Sequence, residues 1–170
     1  MKEKQFIQHP FPPLFDSQSE LLILGSLPSV KSREVQFYYA HPQNRFWKVL
    51  YAIWEEPYQE EKEKRISFLK QHKIALWDVI ASCEISGSSD ASIRNVVPND
   101  IGRLLKETNI KFIFTTGNTA KKYYDRYCLP QTGIEAMVLP SPSPANARMS
   151  IEQLISAYKI ICTKKESNLK

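Results

Sequence analysis

The chain carries at residues 21–29 the sequence LLILGSLPS, in which four consecutive apolar residues lead into a turn of small residues and proline. An apolar run of this length is too short for a stable helix and is typical of a buried strand. The glycine and proline that follow mark the point where the strand ends. We therefore predict a buried strand over residues 21–24, with a turn directly after it.

Three further short apolar runs, at residues 74–77, 112–114 and 137–139, also end in turn residues. Helical patterns lie between and after the four predicted strands, at residues 45–54, 60–72, 100–107, 119–127 and 151–162. Ser150 and Gln153 form a capping-box pattern at the start of the last of these. Strands that alternate with helices predict an α/β fold, a three-layer sandwich whose central four-stranded, mostly parallel sheet is flanked by helices.

The composition fits one domain, predicted over residues 1–170 with a flexible polar tail at 163–170. The chain is 42% hydrophobic and 24% charged, which allows a packed core and excludes a disordered protein. The net charge of +5 favours an anionic partner such as nucleic acid. Since no apolar run has the length of a signal peptide or a membrane span, we expect a cytoplasmic protein. We also expect it to be a monomer.

The three cysteines, Cys83, Cys128 and Cys162, are isolated from one another in the sequence. They form no CxxC pair, which argues against a zinc or iron–sulfur site. We expect buried free thiols, and neither a metal nor another cofactor.

Ligands of a parallel α/β sheet bind beyond the carboxyl ends of its strands. The segments at that edge, residues 25–32, 78–95, 115–118 and 140–148, hold most of the unusual residues of the chain. The first lacks the patterns GxGxxG, GxxxxGKS/T and GxSxG, which argues against a dinucleotide site, a P-loop and an elbow nucleophile. Its small residues let backbone N–H groups approach a ligand closely, although an ordinary strand-to-helix turn explains them equally well.

Two tyrosines, Tyr38 and Tyr39, precede a proline turn and could offer a flat face on which a nucleic-acid base stacks. Asn44 lies after that turn, directly before a helical pattern. Asn is a favoured N-cap residue, so helix capping is a simple alternative to a functional role. His41 has no visible partner in the sequence, and we expect it to be structural.

Residues 140–148 hold three prolines within five positions, which makes a stiff loop with few N–H donors. Such a loop could insert as a wedge into a DNA groove, with Arg148 on a phosphate. A rigid connector before the last helix is the alternative.

Three motifs occur in order along the chain: GSLP at residues 25–28, AHPQNRFWK at 40–48 and PSPSP at 140–144. Together they resemble the uracil-DNA glycosylase superfamily, and the likeness extends over about residues 20–162. The middle motif is similar to that of the mismatch-specific uracil/thymine glycosylases. With SSDASI at residues 88–93, the combination most resembles the deoxyinosine (hypoxanthine) DNA glycosylases.

Two positions depart from the superfamily pattern. Leu27 stands where the superfamily usually has an Asp or Asn that orients the attacking water. In the deoxyinosine branch the Asn of the Asn-Arg-Phe-Trp motif takes over that role, which by resemblance is Asn44. Ser141 stands where family-1-like enzymes have His, so we do not expect strong uracil catalysis. The iron–sulfur branches need four cysteines, and this chain has three.

The resemblance implies a monofunctional DNA glycosylase that hydrolyses the N-glycosidic bond of deoxyinosine and leaves an abasic site. The target base must be flipped out of the DNA stack. Tyr39, beside Tyr38, would stack on the base, and backbone N–H groups at Ser26 and Leu27 would stabilise negative charge on it as it leaves. Asn44 would orient the water rather than take its proton, because an amide is not a base at neutral pH.

Asp78 ends the second predicted strand and by resemblance lies where related enzymes read the edge of the base. A carboxylate accepts a hydrogen bond from N1–H of hypoxanthine and repels the N1 lone pair of adenine. A solvated or capping Asp is the alternative here, and an N-cap is the alternative for Asn118. The predicted base-binding residues are Ser26, Leu27, Pro28, Tyr38, Tyr39, Asp78 and Asn118. The predicted DNA-binding residues are Ser29, Ser141, Pro142, Ser143, Pro144, Ala145, Asn146 and Arg148.

Two other functions remain open at this point. One is a hydrolase of the same fold that prefers uracil or mismatched thymine. The other is a nucleic-acid-binding module without catalysis, for which Leu27 is the argument.

Overall fold

The computed structural model describes residues 3–87 and 89–167 of the chain. Its strands are β1 (Lys4–Gln8), β2 (Leu21–Gly25), β3 (Ile74–Asp78), β4 (Ile80–Ser86), β5 (Arg94–Pro98), β6 (Phe112–Thr116) and β7 (Ala136–Leu139). Its helices are α1 (Val30–Val35), α2 (Phe46–Ile53), α3 (Lys62–Gln71), α4 (Ile101–Lys106), α5 (Asn118–Tyr127), α6 (Leu129–Thr132), α7 (Ile151–Tyr158) and α8 (Ile160–Ser167), with a 3₁₀ turn at Asp90–Ser92.

The central sheet has four parallel strands in the order β3-β2-β6-β7. The predicted α/β fold with its four-stranded sheet is therefore confirmed. In the inner strand β2, Leu21 and Ile23 pack into the core on one face, while Leu22 and Leu24 pack into the core on the other. All four side chains are fully buried, which explains why this strand is apolar without interruption.

The predicted helices at residues 45–54, 60–72, 100–107 and 119–127 are confirmed, with ends that differ by at most two residues. Helix α2 shows why the helical pattern of apolar residues predicts a helix here: Phe46, Trp47 and Leu50 are buried in the core, while Lys48 on the other side is exposed. Helix α1 begins within the first predicted loop, residues 25–32, and continues beyond it to Val35; its six residues are too few to give a periodic signal.

The prediction of a loop over residues 78–95 is wrong, because this segment contains β4 and the start of β5. These strands form a second, antiparallel sheet in the order β1-β4-β5. Ile80, Cys83 and Ile85 of β4 point into the core, and its pairing with β5 is interrupted by two shifts of register. Such irregular alternation with polar residues is a weaker sequence signal than an unbroken apolar run.

The predicted helix at residues 151–162 is in fact two helices, α7 and α8, separated at Lys159. The capping box of Ser150 and Gln153 is confirmed. Helix α8 extends to residue 167, so residues 163–167 are helical, while the flexibility of the tail stays a prediction and residues 168–170 lie outside the described part. Buried Ile161 and an ion pair of 3.7 Å between Lys165 Nζ and Glu20 Oε2 hold this helix against the core.

All three cysteines are free thiols, of which Cys83 and Cys128 are buried and Cys162 is half-buried. Across residues 3–87 and 89–167, we find no helix with the length and apolar character that a membrane crossing requires.

Candidate active site

A cleft of about 450 Å³ opens at the carboxyl ends of the four parallel strands. A volume of this size is in the range of small-molecule sites. Most of the residues predicted for the site line it: Ser26, Leu27, Pro28, Ser29, Tyr38, Tyr39, Asn44, Asp78, Asn118, Ser141, Pro142, Ser143 and Ala145. Pro144, Asn146 and Arg148 belong to the same last loop but are not part of this lining. Of the SSDASI motif, Asp90 reaches the cleft, and Ser88 lies outside the described residues.

Asp78 forms the floor of the cleft. It is the last residue of β3, pairs in register with Gly25 and is only 4% exposed. Its Oδ1 atom lies so close to Gly25 that a Cβ atom added there would be 2.4 Å away. Glycine is therefore required at position 25 to leave room for the carboxylate. Among the described residues, Oδ1 has no hydrogen-bond partner, so it is available to a ligand.

The other oxygen of Asp78 is held by His9, which lies 69 positions earlier in the chain. Nε2 of His9 is 2.7 Å from Oδ2 of Asp78, and Nδ1 is 2.8 Å from the carbonyl oxygen of Phe11. The His9 backbone N–H donates to the carbonyl of Ala81 at 2.7 Å, which anchors this segment to β4. Nothing in the local sequence signals the contact, because it joins two distant segments.

Tyr39 forms one wall of the cleft in a strained backbone conformation. Its φ angle is 52°, in the left-handed region that bulky residues rarely adopt. Phe46 stacks on one face of its ring, with ring centroids 3.8 Å apart, and its hydroxyl is 3.0 Å from Thr116 Oγ1. Burial raises the pKa of the phenol well above its ordinary value, and the charge of Asp78 raises it further. A neutral, fixed aromatic ring is thus presented to the cleft.

Tyr38 is more deeply packed in the core than Tyr39. It is only 2% exposed, and its hydroxyl donates to the carbonyl of Pro12 at 3.0 Å. Its ring packs edge-on against Phe11, with centroids 4.7 Å apart. Burial raises the pKa of Tyr38 far above its ordinary value, with a smaller contribution from the charge of Asp78.

Asn44 both caps a helix and lines the cleft. Its Oδ1 accepts from the backbone N–H of Phe46 at 2.9 Å, at the start of α2, whose formal N-cap is Arg45. No partner for its Nδ2 group is found in the described part of the chain. The capping interpretation and the functional one are therefore compatible. Nδ1 of His41 accepts from the Gln43 backbone N–H at 3.1 Å, as expected for a structural histidine.

Arg45 fixes the last loop, a role that was not predicted. Its guanidinium donates to the carbonyl oxygens of Ser143 at 3.0 Å and Asn146 at 2.9 Å, to that of Met149, and through Nε to that of Pro142 at 3.4 Å. Its backbone N–H also donates to Pro142 at 3.0 Å. The loop is therefore held from α2, and Pro142 is buried. The middle motif marks Arg45 as a residue of interest, because it follows Asn44 there, but does not indicate this role.

The first loop presents backbone groups to the cleft. The carbonyls of Gly25 and Ser26 accept from Val79 and Ile80 at 2.8 and 3.1 Å, which fixes the loop on β4. In the described residues, no acceptor is found for the N–H groups of Ser26 and Leu27. The Ser29 side chain caps α1 by accepting from the Ser32 N–H at 3.1 Å.

Asn118 lies at the entrance of the cleft and is exposed. The interpretation of Asn118 as an N-cap is wrong, because it is the first residue of α5 and Gly117, with φ of 97°, occupies the cap position. A Cβ atom on Gly117 would be 3.3 Å from that of Ser141, so the glycine lets the last loop approach closely.

The model of the uracil DNA glycosylase superfamily matches residues 12–160 of the chain. The chain belongs to this superfamily. It is similar to two curated proteins, each named a hypoxanthine DNA glycosylase. The relative from Methanosarcina acetivorans is 38% identical over 146 residues, which is 85% of this chain and 91% of the relative. The relative from Methanosarcina barkeri is 37% identical over 141 residues, which is 81% of this chain and 87% of the relative.

A solved structure agrees with the assignment to this superfamily. The solution NMR structure of a Methanosarcina acetivorans protein, provisionally described as a uracil DNA glycosylase, matches with a TM-score of 0.77 and 33% identity. The match covers 92% of this chain and 99% of that protein. The family predicted from the three motifs and the fold predicted from the alternation of strands and helices are therefore confirmed, and the protein is a DNA glycosylase.

In this glycosylase the cleft brings together an acceptor, an aromatic face, an amide side chain and unpaired backbone donors. Arg33 also lines it, with an Nε atom that is buried and has no partner among the described residues. No group of three or more His, Cys, Asp or Glu side chains that could hold a metal ion is found in the described part. The metal-free reaction stays a prediction.

Proposed function

We propose that this protein removes hypoxanthine from DNA by hydrolysing the N-glycosidic bond of deoxyinosine. The observation that carries this proposal is the Asp78 carboxylate, whose Oδ1 lies on the floor of the cleft and has no partner within residues 3–87 and 89–167. The names of the two relatives at 37–38% identity support it. The product is DNA with an abasic site.

The base is recognised after it has been flipped out of the DNA stack into the cleft. Hypoxanthine has a hydrogen on N1, which donates to Asp78 Oδ1, whereas adenine has a lone pair at N1 that a carboxylate repels. The face of the Tyr39 ring opposite Phe46 stacks on the base. Shape and stacking thus admit a purine, and Asp78 selects the purine with a hydrogen on N1.

The chemistry is a dissociative hydrolysis. The bond between C1′ and N9 breaks, and the base leaves with the bonding electrons while positive charge develops on the sugar. The N–H groups of Ser26 and Leu27 stabilise the negative charge on the departing base. A water molecule adds its oxygen to C1′ and gives its proton to solvent. Asn44 orients that water through its Nδ2–H and the remaining lone pair of Oδ1.

DNA binding uses the outer surface around the cleft. The stiff last loop lies at its edge, with Pro144, Ala145 and Arg148 exposed to solvent. We propose that this loop wedges into the DNA next to the flipped nucleotide and that Arg148 contacts a phosphate. The protein acts as a monomer, and a cytoplasmic location beside the chromosome stays a prediction.

The direct test is to incubate the protein with duplexes that carry a single inosine, uracil, xanthine or G·T mismatch and then to cleave abasic sites with alkali. We expect cleavage of the inosine duplex, also with excess chelator present. Binding without abasic sites on any duplex would instead identify a non-catalytic module. Loss of activity with chelator would refute the metal-free reaction.

The catalytic assignment is tested by comparing Asn44→Ser with Asn44→Ala. Ser can accept from the Phe46 N–H as Asn44 does, whereas Ala leaves it unpaired and should cost about 1 kcal/mol of stability. If Asn44 orients the water, both variants lose single-turnover cleavage of inosine by a factor on the order of 10², because Ser is too short to hold the same water. Cleavage near the wild-type rate by Asn44→Ser would refute this role.

Uracil is the second candidate substrate, for a specific reason. Its N3–H is a donor that the Asp78 carboxylate accepts as readily as the N1–H of hypoxanthine. Ser141 at the head of the last motif argues for weak activity on uracil. The ratio of single-turnover rates on inosine and uracil duplexes decides between the two.

A further inference from the structure

His9 and Asp78 form a buried pair whose hydrogens can be counted from its contacts. Their side chains are 4% and 5% exposed. The carbonyl oxygen of Phe11 can only accept, so Nδ1 of His9, 2.8 Å away, carries a hydrogen. Nε2 of His9 and Oδ2 of Asp78 are 2.7 Å apart, so one hydrogen lies between these two atoms.

This count leaves Oδ1 of Asp78 without a hydrogen. If the shared hydrogen belongs to the ring, the pair is an imidazolium and a carboxylate. If it belongs to the carboxyl group, the pair is a neutral imidazole and an acid protonated on Oδ2. Oδ1 is a hydrogen-bond acceptor in both states, and it is the atom that faces Gly25 and the cleft.

Without His9, no group among the described residues would fix which oxygen of Asp78 carries a hydrogen when the carboxyl group is protonated. A proton on Oδ1 would convert this atom from an acceptor into a donor. The hydroxyls of Tyr38 and Tyr39 cannot replace His9, because they bond to the carbonyl of Pro12 and to Thr116. Among the described residues, the imidazole is the group that bonds to Oδ2.

We propose that His9 is a specificity-determining positioning residue, which keeps the cleft-facing oxygen of Asp78 an acceptor and so makes the cleft select bases with a ring N–H. The proposal rests on the proposed function, since the preferred base is hypoxanthine. His9 contacts the carboxyl group and not the base. Its loss should therefore change which bases bind more than it changes the hydrolysis of a base already bound.

The test compares the affinities of two duplexes that differ only in the target base. One carries hypoxanthine and the other carries unsubstituted purine, which has a lone pair at N1. Both have fluorine at the 2′ position of the target sugar, which slows hydrolysis because it destabilises positive charge at C1′. The wild-type protein should bind hypoxanthine about 10-fold to 100-fold more tightly, the effect of one hydrogen bond to a charged group.

His9→Phe keeps an aromatic ring against Phe11 and removes the donor. We expect the affinity ratio to fall to within about threefold of unity, consistent with the loss of that one bond. His72→Phe is the matched control, because His72 also bonds to a carboxylate, Glu56, and packs on an aromatic ring, but lies outside the cleft lining. It should leave the ratio unchanged. A wild-type ratio in folded His9→Phe would overturn the proposal.

Asp78→Asn is a second test that does not depend on the folding of His9→Phe. The bond to the carbonyl of Phe11 keeps the hydrogen of the neutral imidazole on Nδ1, so Nε2 of that ring can only accept. The amide that replaces the carboxylate must then donate to Nε2 of His9, which leaves the amide oxygen facing the cleft. This variant should still prefer hypoxanthine, whereas a preference for purine would overturn the proposal. Failure of the wild-type protein to cleave an unfluorinated inosine duplex would refute the proposed function, while the affinity ratio would still report on His9.

Discussion

Replacing Arg45 with lysine tests whether the last loop depends on a single side chain. The guanidinium of Arg45 donates to four carbonyl oxygens of this loop, those of Pro142, Ser143, Asn146 and Met149. A lysine ammonium keeps the charge but has one nitrogen, which cannot reach four acceptors that surround a planar fork. We expect Arg45→Lys to keep α2 and to loosen the loop.

The size of the effect follows from the number of bonds lost. A hydrogen bond from a charged donor contributes about 1.5–3 kcal/mol. The loss is smaller than the sum over four bonds for three reasons. The contact to Pro142 is long at 3.4 Å, a lysine re-forms one or two of the other bonds, and water can reach this half-buried site and bond to the freed carbonyls. A net loss of about 2–4 kcal/mol remains, which shifts the balance between ordered and open loop by roughly 30-fold to 1000-fold.

The assay is single-turnover cleavage of an inosine duplex, at subsaturating and at saturating protein, together with the thermal midpoint of unfolding. We expect at least a tenfold fall at subsaturating protein and a smaller fall at saturation, because bound DNA reorders the loop. Arg65→Lys is the control, since Arg65 also donates to a carbonyl, that of Gln59, and lies outside the cleft lining. If Arg45→Lys behaves like this control, the loop is held by its prolines and the reasoning is wrong.

Three further changes test other parts of the structure. Gly25→Ala places a Cβ atom 2.4 Å from Asp78 Oδ1. We expect the variant to lose about 1–3 kcal/mol of unfolding free energy and to cleave an inosine duplex at least tenfold more slowly, whereas the control Gly102→Ala should leave cleavage unchanged. Arg148→Ala should reduce by about one the slope of log affinity against log salt, and an unchanged slope would assign Arg148 a structural role. Burial raises the pKa of the Cys128 thiol from 9.0 to about 11, so its stabilising contribution is complete below pH 9 and is lost as the pH approaches 11. Urea unfolding of Cys128→Ala should therefore show a smaller loss of stability between about pH 8 and pH 11 than the wild-type protein shows.

The central sheet could be predicted from the sequence because burial on both faces makes its strands continuously apolar. Leu21 to Leu24 have no polar residue to obscure that signal, and all four are fully buried. The second sheet has one face near solvent and a register broken by bulges, so β4 mixes Ser82 and Glu84 with buried Ile85. A pattern of that kind does not distinguish a strand from a loop.

The site could be predicted where its residues lie in or beside an ordered motif or at the end of a predicted strand. Asn44 lies within the middle motif, Tyr39 directly precedes that motif and Asp78 ends a strand, and all three line the cleft. His9 could not be found in this way, because its partner is 69 positions away and only the fold brings the two together. Arg45 lies within a motif, but its role could not be predicted, because its four acceptors are backbone carbonyl oxygens. Every residue has a backbone carbonyl, so the sequence does not mark which ones Arg45 contacts.

Three of the features that face the cleft are held by residues from other parts of the chain. His9 holds Asp78, Thr116 and Phe46 hold Tyr39, and Arg45 holds the last loop. In the proposed mechanism the water is oriented by Asn44, whose amide cannot take a proton from it, so acid–base chemistry would supply little of the rate. Most of it must then come from dipoles and donors fixed in place before the base arrives. In such an enzyme a residue that never touches the substrate can matter as much as one that does. At subsaturating protein, variants of His9 and Arg45 should therefore impair base removal on a scale similar to variants of Asn44.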